Sequence, residues 1–279
     1  MKLRSKVRLR SSFIAIVLVL TVGLSSCEKI VSIDLNKANP HMVIEGIVTD
    51  QQTPDSVVLS KSGDYFEASL SFPPVPNALV TIADNAGAVD TLKEDIPGTY
   101  RSSALRGVPG RTYTLTVASD GKIYQAVSSM PEKIFIDSLY ALPNRAFDGD
   151  LSYYIYLVLK DPPTPGNYYR VNLHDSRPIP SDSITGQRYH LFSDKLANGN
   201  EVTLRLRTGR SVVTGDTITV ELLSIDQASY DYFSTLNDIL TSDRAPTSLA
   251  PTNPNTNLTN GSLGYFSAYS VDSKTIILH

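Results

Sequence analysis

Residues Thr112–Val127 read TYTLTVASDGKIYQAV. Tyr113, Leu115 and Val117 alternate with Thr112, Thr114 and Thr116, the period of two that places one set of side chains on each face of a strand. Asp120-Gly121 follows, a dipeptide that tolerates the positive φ angles of a two-residue hairpin turn, and Lys122–Val127 returns as a second strand. This hairpin sets the class of the chain. Moving toward the N-terminus, Met42–Thr49 (MVIEGIVT), Ser56–Ser60 and Ala78–Ala83 are β-branched runs bounded by Pro, Gly, Asp and Asn. Strands recurring every 8–12 residues describe a sandwich, and residues 41–130 suffice for one.

Moving toward the C-terminus, Pro131 to Lys133 reads as a joint, and residues 131–279 as a second β-rich domain. Its expected strands are Ile134–Tyr140, Tyr153–Lys160, Tyr168–His174, Glu201–Arg207, Asp216–Leu223 and Lys274–Leu278, in a second sandwich or a barrel-like closure. One short helix is expected over Tyr230–Leu240, where apolar residues fall at 3–4 spacing, with Asp226 or Ser229 as cap. The Pro-rich segment 161–166 and the stretch 175–186 read as loops. Residues 250–264 are polar, rich in Asn and Thr, and expected to pack through side-chain hydrogen bonds to backbone. The expected class is therefore mainly β, with an N-terminal Ig-like sandwich followed by the second β unit; Gly98-Thr99-Tyr100 and the Tyr113, Leu115, Val117 strand also resemble those of carboxypeptidase-regulatory-like sandwich domains.

The chain begins differently. Lys2, Arg4, Lys6, Arg8 and Arg10 precede the apolar run Phe13–Leu24, too short to span a bilayer core of ~30 Å. A basic start followed by a short apolar run reads as a secretory signal over residues 1–26. Leu24-Ser25-Ser26-Cys27 then resembles the lipobox of bacterial lipoproteins, which implies cleavage before Cys27, diacylglycerol on its sulfur, a palmitate-type acyl chain on its new amino group, and a tether over residues 27–40. Two or three acyl chains give a stable anchor where one gives a marginal one. Five of the 25 Lys and Arg residues and none of the 28 Asp and Glu precede Cys27, leaving 20 against 28, a net charge of −8. Such a body disfavours nucleic acid as a partner. Glu28-Lys29 lack the Asp directly after Cys that marks inner-membrane retention, so the outer membrane is expected, in either leaflet.

Chemistry-bearing patterns are sparse. His41, His174, His190 and His279 are scattered, and no H-E-x-x-H, G-x-S-x-G or Gly-rich phosphate loop is present. Asp148-Gly149-Asp150 is a calcium-loop fragment without its remaining ligands and reads as a turn. The lone Cys excludes a disulfide framework and a Cys-based zinc site, and once acylated it is no nucleophile. No catalytic residue, metal site or cofactor is expected; an enzyme would need groups such as Asp161, His174 or His190 to meet a carboxylate in a cleft. The feature suited to recognition is tyrosine. Tyr153, Tyr154 and Tyr156 cluster, as do Tyr168 and Tyr169. Tyr154 and Tyr156 share one face of a strand and Tyr153 the other. Tyr154, Tyr156, Tyr168 and Tyr169 are the candidate ligand-contacting residues, with an apolar body and polar tip suited to sugars or protein partners. Good strand formers of this kind also serve a sheet without any ligand.

An ordered set of short pieces carries a resemblance. Cys27-Glu28-Lys29, Ile33-Asp34-Leu35, Met42–Gly46, Asn77–Ile82, Gly98-Thr99-Tyr100, Gly110–Val117 and Tyr124-Gln125-Ala126 come first. Asp161-Pro162-Pro163, Asn167–Val171, Tyr230-Asp231-Tyr232, Asn260-Gly261 and Gly264-Tyr265-Phe266 follow. Together they are similar to domain-of-unknown-function family 4249, lipoproteins of the Bacteroidota-type envelope. The Asn- and Thr-rich run at 252–260 is longer than that pattern. The resemblance implies an outer-membrane lipoprotein often found alongside TonB-dependent transporters, with no established activity and no site residue to carry over except the lipidated Cys27. The expected function is a non-catalytic binding or accessory module in TonB-dependent nutrient uptake; the alternative is a structural or assembly lipoprotein without a small-molecule ligand.

Overall fold

In the computed structural model the described residues are 40–63, 72–145, 151–177, 190–242 and 252–279. The signal at 1–26, Cys27, the tether up to residue 39, Asp148-Gly149-Asp150 and most of the expected loop at 175–186 lie outside them. The first eight strands are β1 (Met42–Thr49), β2 (Ser56–Lys61), β3 (Leu79–Asp84), β4 (Val89–Thr91), β5 (Lys93–Ile96), β6 (Thr99–Arg101), β7 (Thr112–Ser119) and β8 (Lys122–Ser129). Then come β9 (Ile136–Arg145), β10 (Leu151–Lys160), β11 (Tyr168–Asp175), β12 (His190–Ser193), β13 (Glu201–Leu206), β14 (Thr217–Ile225), helix α1 (Gln227–Ser242) and β15 (Leu263–Ile277).

The β7–β8 hairpin forms as its sequence dictates. Ser119 pairs with Lys122 across a two-residue turn, with Asp120 at φ 48° and Gly121 at φ 71°. Tyr113, Leu115 and Val117 are fully buried, while the intervening threonines face outward. The sheet β4-β3-β7-β8 packs against β1-β2-β6-β5, and Ile44, Leu59, Val80, Ile82, Tyr100 and Leu115 fill the space between. A second core lies between β13-β10-β9 and β12-β11-β14, built on Ile155, Leu157, Leu159, Val171, Val220 and Leu222. The sheets stay open and no barrel closes. The molecule is mainly β, with α1 its one α-helix among the described residues.

β15 belongs to both sandwiches. Leu263–Tyr269 run parallel to β1, from Val43↔Leu263 to Thr49↔Tyr269. Ser270–Ile277 run antiparallel to β14. One eight-stranded sheet, β12-β11-β14-β15-β1-β2-β6-β5, results. Phe266 and Ala268 enter the first core and Leu278 the second, and Asn39–His279 clusters as one unit. The division expected between residues 130 and 131 is thus crossed by the last strand. The expected strand at Lys274–Leu278 is only its end; the upstream half, GYFSAYS, lacks a β-branched run. Strands β4, β5, β6 and β12, of three or four residues each, carried no period long enough to read.

The polar stretch before β15 fastens the first sandwich. Asn257 Nδ2 donates to the carbonyls of Val127 and Phe266 at 3.2 and 2.7 Å, and Thr259 N donates to Gln125 O at 2.9 Å. Asn260 Nδ2 donates to Ile123 O at 3.3 Å. These bonds engage the carbonyls of Ile123, Gln125 and Val127 on the outer edge of β8. The joint is held as firmly. Asp50 accepts from Val271 N and pairs with Lys133, while Asp272 accepts from Ile136 N. Asp226 caps α1 through Ser229 N at 2.9 Å and takes Ser128 Oγ and Ser129 N on its other oxygen.

Two predictions test these fastenings. Gly264 has φ 98°, and a Cβ there would overlap the Ile44 carbonyl on the neighbouring β1. Gly264→Ala should therefore cost about 3 kcal/mol or more, read as a fall in melting temperature. Asp216 closes the far end of the second sandwich, with Arg177 Nε at 2.6 Å, Arg210 at 2.9 Å and the Val213 amide at 2.9 Å. Burial pushes its carboxyl up, but the two guanidinium groups and that amide outweigh burial and hold it well below the usual range. A depressed folded value stabilises above the unfolded value of ~3.9 and is lost as pH falls through the folded one. Asp216→Asn should cost about 2–3 kcal/mol at pH 7. The gap between its thermal unfolding and that of the parent chain should begin to narrow as pH falls below about 4 and close only as pH falls through the depressed folded value, where the parent's carboxylate takes up its proton.

Candidate functional site

Of the four tyrosines expected as ligand contacts, Tyr154 and Tyr156 lie on β10 and Tyr168 and Tyr169 on β11, in another sheet. In β10, Ile155, Leu157 and Leu159 turn into the second core, so Tyr154 and Tyr156 turn outward. Their neighbours across the sheet are set by register: Tyr154 faces Leu142, and Tyr156 lies between Tyr140 on β9 and Arg205 on β13. Tyr140 and Tyr156 stack with centroids 5.3 Å apart and planes 9° from parallel. The Arg205 guanidinium sits 4.9 Å from the Tyr154 ring centre. Tyr154 is 39% and Leu142 47% exposed. Tyr140 was not among the expected contacts; the signal for it is the antiparallel pairing of β9 with β10, which a single sequence does not give.

Tyr153 points the other way. Its hydroxyl donates to His279 O at 2.6 Å and lies 3.1 Å from Thr214 Oγ1, pinning the C-terminal residue. Among the expected ligand contacts, Tyr169 requires correction, and Tyr168 is placed apart from Tyr154 and Tyr156. Both Tyr168 and Tyr169 sit on β11, in the opposite sheet. Tyr169 is 1% exposed, stacks on Phe192, and donates its hydroxyl to Asp161 Oδ1 at 2.6 Å. Burial and the Asp161 carboxylate push that hydroxyl's pKa far up. Tyr169 is a core residue and no ligand contact. Tyr168 leans on Tyr230 of α1, with ring centres 5.0 Å apart.

The titratable groups do not converge. Asp161 is held by Tyr169 and by Gly199 N at 3.1 Å. His174 Nε2 lies 3.0 Å from Glu221 Oε2, which also accepts from Asn172. His190 meets the Arg207 carbonyl, and burial lowers its pKa below the usual histidine range. His41 meets the Gly261 carbonyl. Among the described residues no cluster of three His, Cys, Asp or Glu side chains could hold a metal. No described helix is long and apolar enough to cross a membrane.

Two buried carboxyls in the first sandwich escaped sequence reading. Asp90 Oδ2 accepts Ser102 Oγ at 2.6 Å and the amides of Ser103, Ala104 and Leu105 at 3.1 Å. Burial pushes its pKa up, but those donors hold it below the usual range. Asp55 has fewer donors, the amide and hydroxyl of Thr49, and burial pushes it up to about 7 against their pull, with Asp90 adding to the rise. A cleft of about 200 Å³ beside this loop is lined by Gln51, Thr53, Ser103 and Arg106 among others. The Ser102 hydroxyl is engaged by a carboxylate rather than an imidazole, so the group lacks the base that activates a serine nucleophile. It holds a loop in place, and the tyrosine face remains the candidate site.

The sequence matches none of the curated proteins. One similar solved structure is a two fibronectin type-III domain segment from chicken tenascin, 14% identical, covering 67% of this chain and 92% of its own. Its TM-score of 0.21 adds nothing to the fold that strand register defines. The model of the domain of unknown function DUF4249 matches residues 28–275, nearly the whole span after Cys27, and the chain belongs to that family.

Proposed function

We propose that the protein is a non-catalytic, lipid-anchored module of the outer membrane that serves nutrient uptake by docking against another protein. The docking face is the outer side of β13-β10-β9. The observation that supports this reading is how its aromatic rings are used. Tyr140 and Tyr156 turn their ring faces toward each other, and Arg205 lies over Tyr154. A flat sugar ring needs an open aromatic face. The most exposed large side chains here are Tyr154, with the Arg205 guanidinium over its ring, and Leu142. Tyr, Arg and an apolar anchor are the composition of protein–protein hot spots.

Charge narrows the partner. At the outward positions of β10 and β13, Arg205 and Lys160 stand against the carboxylate of Glu201, on a chain whose residues 27–279 carry a net −8. The face thus suits an acidic protein surface and gives the encounter an electrostatic bias. A TonB-dependent transporter is the partner that the family resemblance brings forward.

The test is recovery of the lipidated protein from its native envelope in mild detergent, with identification of what accompanies it. A transport barrel should co-purify. Tyr154→Ala together with Arg205→Ala should weaken that recovery by about thirtyfold or more, the scale of losing ~2 kcal/mol at a hot spot. Both side chains lie on the exposed face, so thermal unfolding should shift by only a few degrees. Recovery of the parent chain alone would sink the accessory role and leave a structural lipoprotein.

A further inference from the structure

The outer face of the other small sheet, β4-β3-β7-β8, has a different chemistry. Register aligns its outward residues in rows across the strands. Leu79, Ala118 and Ile123 form one row. Thr91, Thr81, Thr116 and Gln125 form the next. Val89, Ala83, Thr114 and Val127 form the third. No ionisable side chain stands in any of them. Leu79, Val89, Ile123 and Val127 are 58%, 68%, 59% and 53% exposed, large values for four aliphatic side chains on one sheet. Contiguous apolar patches beyond a few hundred Å² are uncommon on monomers and mark contact sites.

We propose that this face is the interface of a homodimer. Three features point to a second copy. A partner recognised by charge of either sign gains nothing on a surface without charge, whereas an identical surface loses nothing. Two copies at net −8 each repel wherever carboxylates meet, and this face brings none together. The pattern is also its own complement. Apolar, hydroxyl and apolar rows follow in order, so a two-fold axis in the plane of the sheet, along the rows or along the strands, lays apolar rows on apolar rows and threonines on threonines. Sheets stacked this way pack about 10 Å apart. The β8 edge is partly occupied by Asn257, Thr259 and Asn260, which disfavours edge-to-edge pairing there. The interface is independent of the tyrosine face, which lies on another sheet.

Thr116 stands in the central row, where either axis brings it near the partner's central row. Sedimentation velocity of the full lipidated chain in detergent should show a monomer–dimer equilibrium with a dissociation constant of about 1–10 µM, as suits an interface at the small end of the stable range. Thr116→Lys, and separately Thr116→Glu, should each weaken it by about tenfold or more with the melting temperature kept within a few degrees. Mixing the two variants should restore dimers. A chain that stays monomeric up to ~100 µM overturns the proposal. So do a dimer that both charged variants leave intact and a mixture that fails to recover; Tyr154→Ala should leave the dimer unchanged.

Discussion

The parallel pairing of Leu263–Tyr269 with Val43–Thr49 carries the architecture. It joins residues more than two hundred positions apart, so its loop-closure entropy must be met by what the pair encloses. Phe266 and Ala268 provide that by entering the first core, where Phe266 is fully buried beside Ile44 and Leu115. The same strand then leaves this core and becomes the partner of β14. Without β15, β1 and β14 would each present an unpaired edge, and the joint at residues 131–137 would be the sole covalent link between the two cores. With it, the backbone ladder runs through both.

That constraint explains where the buried polar groups sit. Asp50, Asp226 and Asp272 all lie where the chain passes between the two cores, and each accepts a backbone amide from a neighbouring segment. A carboxylate is a strong acceptor for the amides that a change of sheet leaves unpaired. The joint is therefore fixed by directional bonds, in place of a large apolar contact. Ser229 Oγ on α1 meets Ser267 Oγ of β15 at 2.7 Å, where α1 lies against the shared strand.

Local grammar was legible where it was strong. The β7–β8 hairpin and β1 follow from alternation and turn chemistry, and the Asn-Thr stretch from its side-chain donors. α1 extends three residues before and two beyond the expected Tyr230–Leu240, as the Asp226 cap allows. The shared strand was not legible. Ser267, Ala268 and Ser270 are small residues packed under a helix or against a neighbouring sheet, and nothing local distinguishes them from a loop. At the tyrosine face, period two separated Tyr153 from Tyr154 and Tyr156 correctly. It could not show that Tyr169 turns inward while Tyr154 turns outward, because that depends on which face of each strand meets the core. Asp55 and Asp90 were invisible for the same reason: a carboxylate's burial is a property of the fold.

Under the two proposals, one scaffold divides recognition between its two small sheets. Both cover a core with their inner faces, and alternation frees their outer faces to differ. On β13-β10-β9 the outward residues include Tyr140 and Tyr156, stacked on each other, and Arg205, packed over Tyr154. Rigid aromatic anchors lose little conformational freedom on contact. On β4-β3-β7-β8 the outward residues are threonine and short aliphatics, β-branched for the most part, with few rotamers to lose. Ordering costs are low on both, and the cost of immobilising side chains sets much of the affinity of a flat contact. Charge separates the two proposed roles, since a basic aromatic face would select an unlike partner and a neutral one would accept its own copy.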